Sequence, residues 1–239
     1  MLMHTQQERI GRLSSGEWRR VVARTTKDGG DSWSEPTLIA GQGAGTFPYS
    51  TALTVSEDGR CAMAYAIYSS AEKRHQGLTV VVSHDAFQTK IEIPVDLGDA
   101  AEADTVPYEA RWMSDSVVAI SYSQVSTDGK SALSRLVTVD VDSGVQLQSI
   151  SLLPVAVHTY AGGAAIEEAG NSVICSPVAG GLVRKHLGSD RVDEIVKKGA
   201  YSSPWVFKAG SHNILIALKN PCIKTTRDFG ADILIMPLS

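Results

Sequence analysis

Three tyrosines stand at the heads of apolar, strand-like runs. Tyr49 follows Thr46-Phe47-Pro48, Tyr108 follows Thr105-Val106-Pro107, and Tyr201 precedes Ser202-Ser203-Pro204. A tyrosine so placed suits a sugar, because its ring face packs on C–H groups while its hydroxyl exchanges hydrogen bonds. The same rings would serve equally as structural filling. Glu109 and Arg111 occupy alternate positions of the run that follows Tyr108, so they face one side of a strand. There Glu109 offers a carboxylate and Arg111 a guanidinium fork for an anionic ligand, or the two simply form an ion pair. Arg227 and the Lys73-Arg74-His75 cluster fall in loops, where cations either meet an anionic sugar or are solvated. Glu167 and Glu168 are adjacent on a strand, point to opposite faces and cannot act as a close carboxylate pair. No phosphate-binding glycine loop, nucleophile triad or metal-ligand spacing is present, so neither metal nor cofactor is expected.

The elements that must position these residues are strands. Long helical periodicity is absent, and Gly, Ser and Asp punctuate the chain often. Apolar runs fall into groups of four, the number in a propeller blade. The first group is 51–55, 60–68, 78–83 and 90–95. The second is 108–113, 116–123, 133–141 and 145–152. The third is 163–168, 172–177, 181–187 and 192–197. The groups recur with a period of about 40–60 residues, in the range of blade repeats. The two ends look like partial groups, 17–25 with 35–40 at one end and 204–208, 214–219 and 233–238 at the other. The expected fold is therefore all-β: a single propeller domain over residues 1–239, of four or five four-stranded antiparallel blades. Trp18–Ala23 is expected to pair with strands from 204–238, so that both ends share one blade and hide two sheet edges. Ligands of such folds gather at the mouth of the central channel, which places Tyr49, Tyr108 and Tyr201 around one opening with His158 or Tyr160.

Composition narrows the partners. The chain has 239 residues, 43% hydrophobic and 20% charged, with a formal net charge of −4. That charge supplies no electrostatic footprint for nucleic acid. No apolar run reaches membrane-span length, and the first thirteen residues are polar, without the apolar stretch of a secretory leader. Cys61, Cys175 and Cys222 match no zinc pattern; the first two sit in apolar runs and read as buried free thiols.

One stretch is specific. Thr26-Lys27-Asp28-Gly29-Gly30-Asp31-Ser32-Trp33 fits the Asp-box, S/T-x-D-x-G-x-T/S-W, with a strand-like run on each side. The aspartate is expected to accept bonds from its own turn, the glycines to allow positive φ, and the tryptophan to pack beneath the turn. Ser83-His84-Asp85-Ala86-Phe87-Gln88-Thr89 keeps the Ser, Asp and Thr of the same pattern, and Thr138-Val139-Asp140 keeps two positions. This motif resembles that of the sialidase superfamily and its BNR-repeat relatives. The segment 199–204, followed by the apolar run 214–218, is similar to the late sialidase segment that carries the catalytic tyrosine, and equally to the Tyr-Ser-x-Pro opening of non-sialidase relatives.

The resemblance implies a carbohydrate-active propeller with a glycan ligand. If it is catalytic, it is an exo-glycoside hydrolase with Tyr201 as nucleophile and Glu109 as partner, and with Tyr49, Tyr108, Arg111 and Arg227 contacting the sugar. The alternatives are a non-catalytic glycan-binding or adhesion module and a structural propeller for protein contacts. Departures from the family pattern keep them open: Arg9-Ile10-Gly11 stands where the family has Arg-Ile-Pro, and Lys219-Asn220 where Tyr-Glu is frequent.

Overall fold

The computed structural model describes residues 2–13, 16–41, 46–56, 58–98, 104–155, 164–225 and 228–238. Among them strands dominate and no α-helix occurs. The strands form five sheets, each laid down in chain order. The first holds β1 (Leu2–Leu13), β2 (Gly16–Thr26) and β3 (Thr37–Gly41). The second holds β4 (Thr46–Val55), β5 (Cys61–Ser69), β6 (Arg74–Ser83) and β7 (Ile91–Pro94). The third holds β8 (Asp104–Trp112), β9 (Val117–Val125), β10 (Ala132–Asp140) and β11 (Val145–Val155). The fourth holds β12 (Ala165–Ile166), β13 (Ser172–Cys175), β14 (Leu182–His186) and β15 (Val192–Val196). The fifth holds β16 (Tyr201–Ala209), β17 (His212–Thr225) and β18 (Asp228–Leu238). The three sequence groups of four runs correspond to the second, third and fourth sheets.

The ends of the chain depart from expectation. The partners of β2 are β1 and β3, with Val22 opposite Gln6 on one side and Leu38 on the other. The segment 204–238 forms a separate three-stranded sheet. Trp18–Ala23 therefore does not share a blade with the C-terminal strands. The polar segment Leu2–Leu13, in which no strand was legible, supplies the missing partner as one arm of a long hairpin.

The chain divides into two compact units, Met1–Ile120 with Val137–Ser149, and Ser121–Leu136 with Ile150–Ser239. In the first, Val21, Ala23 and Ile39 from the first sheet pack with Cys61, Met63, Tyr65 and Val81 from the second, and with Phe87 from the turn after β6. In the second, Ala165, Ile174 and Leu182 of the fourth sheet pack with Val206, Leu215 and Ala217 of the fifth. Each large apolar side chain buried in this way contributes about 1.5–3 kcal/mol. Cys61 and Cys175 are buried free thiols. Burial pushes them up to about 11 and about 12, which makes them poor nucleophiles.

Two turns in the first unit share one hydrogen-bond plan. After β2, Thr26 Oγ1 donates to Asp28 Oδ1 (2.5 Å) and accepts from the N–H groups of Asp28 (3.3 Å) and Gly30 (3.0 Å). Asp28 in turn accepts from Ser32 N (3.1 Å) and Ser32 Oγ (2.5 Å). After β6, Ser83 Oγ bonds Asp85 Oδ1 (2.9 Å), Asp85 N (3.2 Å) and Phe87 N (2.8 Å). Asp85 accepts from Thr89 N (2.8 Å) and Thr89 Oγ1 (2.7 Å). The five bonds correspond one for one. Asp140 is different: it accepts from Asp142 N and from Ser143 N and Oγ, an ordinary aspartate-capped turn. Trp33 also differs from expectation. It is 43% exposed, with Cζ2 3.9 Å from where a Cβ on Gly30 would stand, so it lies against the turn rather than beneath it.

Candidate functional site

Hairpin register gathers an aromatic cluster at one end of the second sheet. Tyr68 lies opposite Phe47 on one side and His75 on the other, and Tyr49 lies opposite Ala66. The Tyr68 and His75 rings meet edge to face at 5.2 Å; Tyr49 is 5.1 Å from His75 and 5.9 Å from Tyr68. Contacts of this kind add about 0.5–1.5 kcal/mol beyond area burial. Tyr49 and Tyr68 are half-buried.

Asp104, the first residue of β8, locks the cluster from the neighbouring sheet. Its Oδ1 accepts the His75 backbone N–H (2.5 Å) and stands 2.7 Å from His75 Nδ1. Burial drives the Asp104 carboxyl up, but the two hydrogen bonds from His75 outweigh it and hold it below its ordinary value. In the neutral ring, an Nδ1–H facing that carboxylate leaves Nε2 as an acceptor. Nε2 is buried and has no hydrogen-bond partner among the described residues. The sequence placed Lys73-Arg74-His75 in a rim loop. Instead Lys73 sits at the hairpin tip with φ 56°, Arg74 pairs with Glu72 at 2.6 Å, and His75 lies inside β6 at 8% exposure. Tyr68 and Asp104 carried no motif in the sequence. The signal for Tyr68 was its place across a short turn from His75; for Asp104, which reaches from another sheet, there was none.

Glu109 and Arg111 face the same side, as their spacing implied, and Arg111 Nη2 donates to Glu109 Oε1 at 3.1 Å. Both are largely covered, at 15% and 22% side-chain exposure. Strand alternation sends the half-buried Tyr108 to the opposite face. Glu109 lies five residues along β8 from Asp104, about 17 Å at strand rise. On β8 the ion pair therefore stands well away from Asp104, the residue that braces His75.

Tyr201 opens β16 in the second unit, half-buried against that unit's core. Its ring lies over Gly199: a Cβ there would stand 2.7 Å from Tyr201 Cε2, and Gly199 holds φ +123°. Its carbonyl accepts a bond from Ser176 Oγ. Arg184, in the same unit, makes a bidentate pair with Glu167, Nε to Oε2 at 2.8 Å and Nη2 to Oε1 at 3.0 Å. Ser172 Oγ also donates to Glu167 Oε2. Glu168 points the other way, to Lys208 Nζ at 3.0 Å, so the two adjacent glutamates diverge as the sequence required. Arg227, His158 and Tyr160 lie outside the described residues. No cluster of three or more metal-ligating side chains occurs among the described residues.

No protein-family model and no curated protein sequence matches the chain. Solved structures do. An α-L-arabinanase of Penicillium chrysogenum complexed with arabinobiose matches with TM-score 0.61 at 12% identity, over 95% of this chain and 69% of its own. The NanB sialidase of Streptococcus pneumoniae matches with TM-score 0.50 at 17% identity, over 84% of this chain. The Trypanosoma rangeli sialidase in complex with sialic acid matches with TM-score 0.50 at 12% identity, over 95% of this chain and 40% of its own. The chain spans about a third of the NanB sialidase, 32% of its length. The fold is thus the all-β propeller shared by sialidases and arabinanases.

Proposed function

We propose that this chain is a carbohydrate-recognising propeller module that binds a glycan, with turnover weak or absent. The observation that carries the reading is the Tyr49–Tyr68–His75 cluster, braced by Asp104 across two sheets. A rigid group of half-buried aromatic rings offers stacking area without a large ordering cost. Arabinobiose and sialic acid are the sugars in two of the structural neighbours, which supports a sugar as the ligand class. The paired turns at Thr26–Trp33 and Ser83–Thr89 support reading both as Asp-boxes, one intact and one diverged. In this reading Tyr49 and Tyr108 contribute stacking, and Arg111 and Arg227 serve an acidic sugar.

A hydrolytic role would use Tyr201 as nucleophile and Glu109 as carboxylate partner. A nucleophile needs an acid/base and a cation cluster close by. The described arginines in the unit of Tyr201 are each engaged, Arg135 by Gln124, Arg184 by Glu167 and Arg191 by Asp193, and this favours binding over turnover. The test is a glycan-binding screen run beside hydrolysis of aryl sialosides and aryl arabinofuranosides. Binding to at least one glycan, lost in Tyr49→Ala, is expected. Binding to none would sink the proposal, and hydrolysis abolished by Tyr201→Phe would replace it with the enzymatic reading.

A further inference from the structure

The fifth sheet is apolar on both faces. Burial alternates cleanly along its strands: Val206, Leu215 and Ala217 point into the core of the second unit, while Trp205, Phe207, Ile233 and Ile235 are 52%, 43%, 65% and 64% exposed. Register turns these side chains into one surface. Trp205 lies opposite Ile216, Ile216 opposite Ile235, and Leu218 opposite Ile233. An antiparallel sheet with one wet face ordinarily alternates apolar-in and polar-out; this one shows no charged side chain among those six. The four most exposed side chains alone present about 400 Å² of apolar surface, if each large side chain offers ~150–250 Å² in full. A contiguous apolar patch of about 400 Å² matches the largest patch of a typical monomer, which is often functional.

We infer that this face packs against the same face of a second copy of the chain. The area supports it: two such faces, with the partly exposed Ile216 and Leu218 added, reach roughly the 1,000 Å² that a specific interface requires. The charge pattern supports it as well. Among its described residues this face carries no Asp, Glu, Lys or Arg, so it meets its own copy without like-charge repulsion, as an isologous two-fold contact demands. Among the described residues the flanking charges are also balanced, since Lys208 is held by Glu168 and Lys219 lies opposite Asp232 on the neighbouring strand. Two twisted sheets stack in this way about 10 Å apart, with side chains interdigitating.

Sedimentation of the full chain from micromolar to submillimolar concentration tests the inference. The expected result is a rise to twice the 25.5 kDa of one chain. Ile233→Lys and Ile235→Lys are expected to weaken association by about a hundredfold or more, because each would bury an unpaired ammonium at the contact. At concentrations where the parent is a single chain, their melting temperatures should equal its own, since both positions are exposed there. Hydroxyl-radical labelling of the unmodified chain gives a readout that needs no variant: protection of Trp205 and Phe207 should grow with concentration while that of Trp33 stays constant. A single-chain mass at every concentration, a dimer that survives both lysine variants, or labelling of Trp205 that does not respond to concentration would each overturn it.

Discussion

Asp28 and Asp85 occupy the same place in two copies of one turn. Each accepts a hydroxyl from the residue two before it and both an N–H and a hydroxyl from the residue four after it. What differs is the backbone they hold. The first turn places Gly29 and Gly30 at φ 76° and 112°, whereas the second places Ala86 and Phe87 at φ 57° and 65°. Side chains in the left-handed region cost about 1–2 kcal/mol each. The second turn recovers that cost through Phe87, which is 2% exposed within the first unit's core. Asp85→Ala should therefore lower the melting temperature more than Asp28→Ala, because it releases a strained backbone and a core side chain together. Thermal denaturation of the two variants measures the order, and equal or reversed shifts would contradict it.

Trp33 and Phe87 invert the importance that the motif assigns them. Trp33 completes the eight-residue pattern yet is 43% exposed, while Phe87 breaks the pattern and is buried. Trp33→Ala is expected to cost only about 1–2 kcal/mol, in keeping with partial burial. Phe87→Ala is expected to cost about 3–5 kcal/mol, the range for a core aromatic. Urea denaturation gives both values, and a Trp33 loss as large as that of Phe87 would show that the tryptophan carries more packing than its exposure indicates.

The same contrast explains what could be read from the chain. The three groups of four runs were legible because β-branched residues alternate with turn residues at blade spacing. The direction of Glu109 and Arg111, and of Glu167 and Glu168, followed from strand alternation alone. The hairpin of Leu2–Leu13 was not legible, because a polar strand carries no period-two apolar signal and shows itself only through its partner β2. His75 and Asp104 were illegible as a pair for another reason: the bond joins β6 to β8, residues distant in sequence that meet only when two sheets pack.

Acid should loosen this chain at its turns and at Asp104. Asp28, Asp85 and Asp104 are all held below the ordinary carboxylate value. For Asp28 and Asp85 the bonds are those of their own turns, led by the Ser32 hydroxyl and the Thr89 N–H respectively. For Asp104, burial raises the carboxyl and the His75 bonds more than offset it. A carboxyl depressed in the folded state contributes stability above its unfolded pKa of about 3.9, and loses it as pH falls through the folded value. Melting temperature should therefore hold from neutral pH down to about 4 with respect to these groups, and drop below that. An Asp28→Asn, Asp85→Asn double variant should be less stable near neutrality and lose less on acidification. Circular-dichroism melts across the acid range test this, and a parallel fall in parent and variant would place the acid sensitivity elsewhere.

Among the described residues, Glu167 and Arg184 form the most covered ion pair of the second unit, with side-chain exposures of 8% and 20%. Removing one partner from such a pair leaves an uncompensated charge, which typically costs about 3–5 kcal/mol. Arg184→Met should approach the lower end of that range, since water still reaches part of the guanidinium. Replacing both members, Glu167→Leu with Arg184→Met, should recover much of the loss. Denaturant titration of the two singles and the double closes the cycle; additive losses would mean that the pair is not coupled.

Binding offers the sharpest comparison between the two units. If glycan stacks on the second sheet, Tyr49→Ala and Tyr68→Ala remove ring area at the cluster and should weaken binding by about tenfold or more, the equivalent of 1.4 kcal/mol. Tyr201→Phe keeps its ring over Gly199 and should leave affinity nearly unchanged. Asp104→Asn leaves the rings in place but weakens the bonds that orient His75, so its effect should fall between these. Isothermal titration with whichever glycan the screen selects orders the four variants. A Tyr201→Phe loss that matches Tyr49→Ala would move the sugar to the second unit, and no loss in either tyrosine variant of the cluster would remove the sugar from the first.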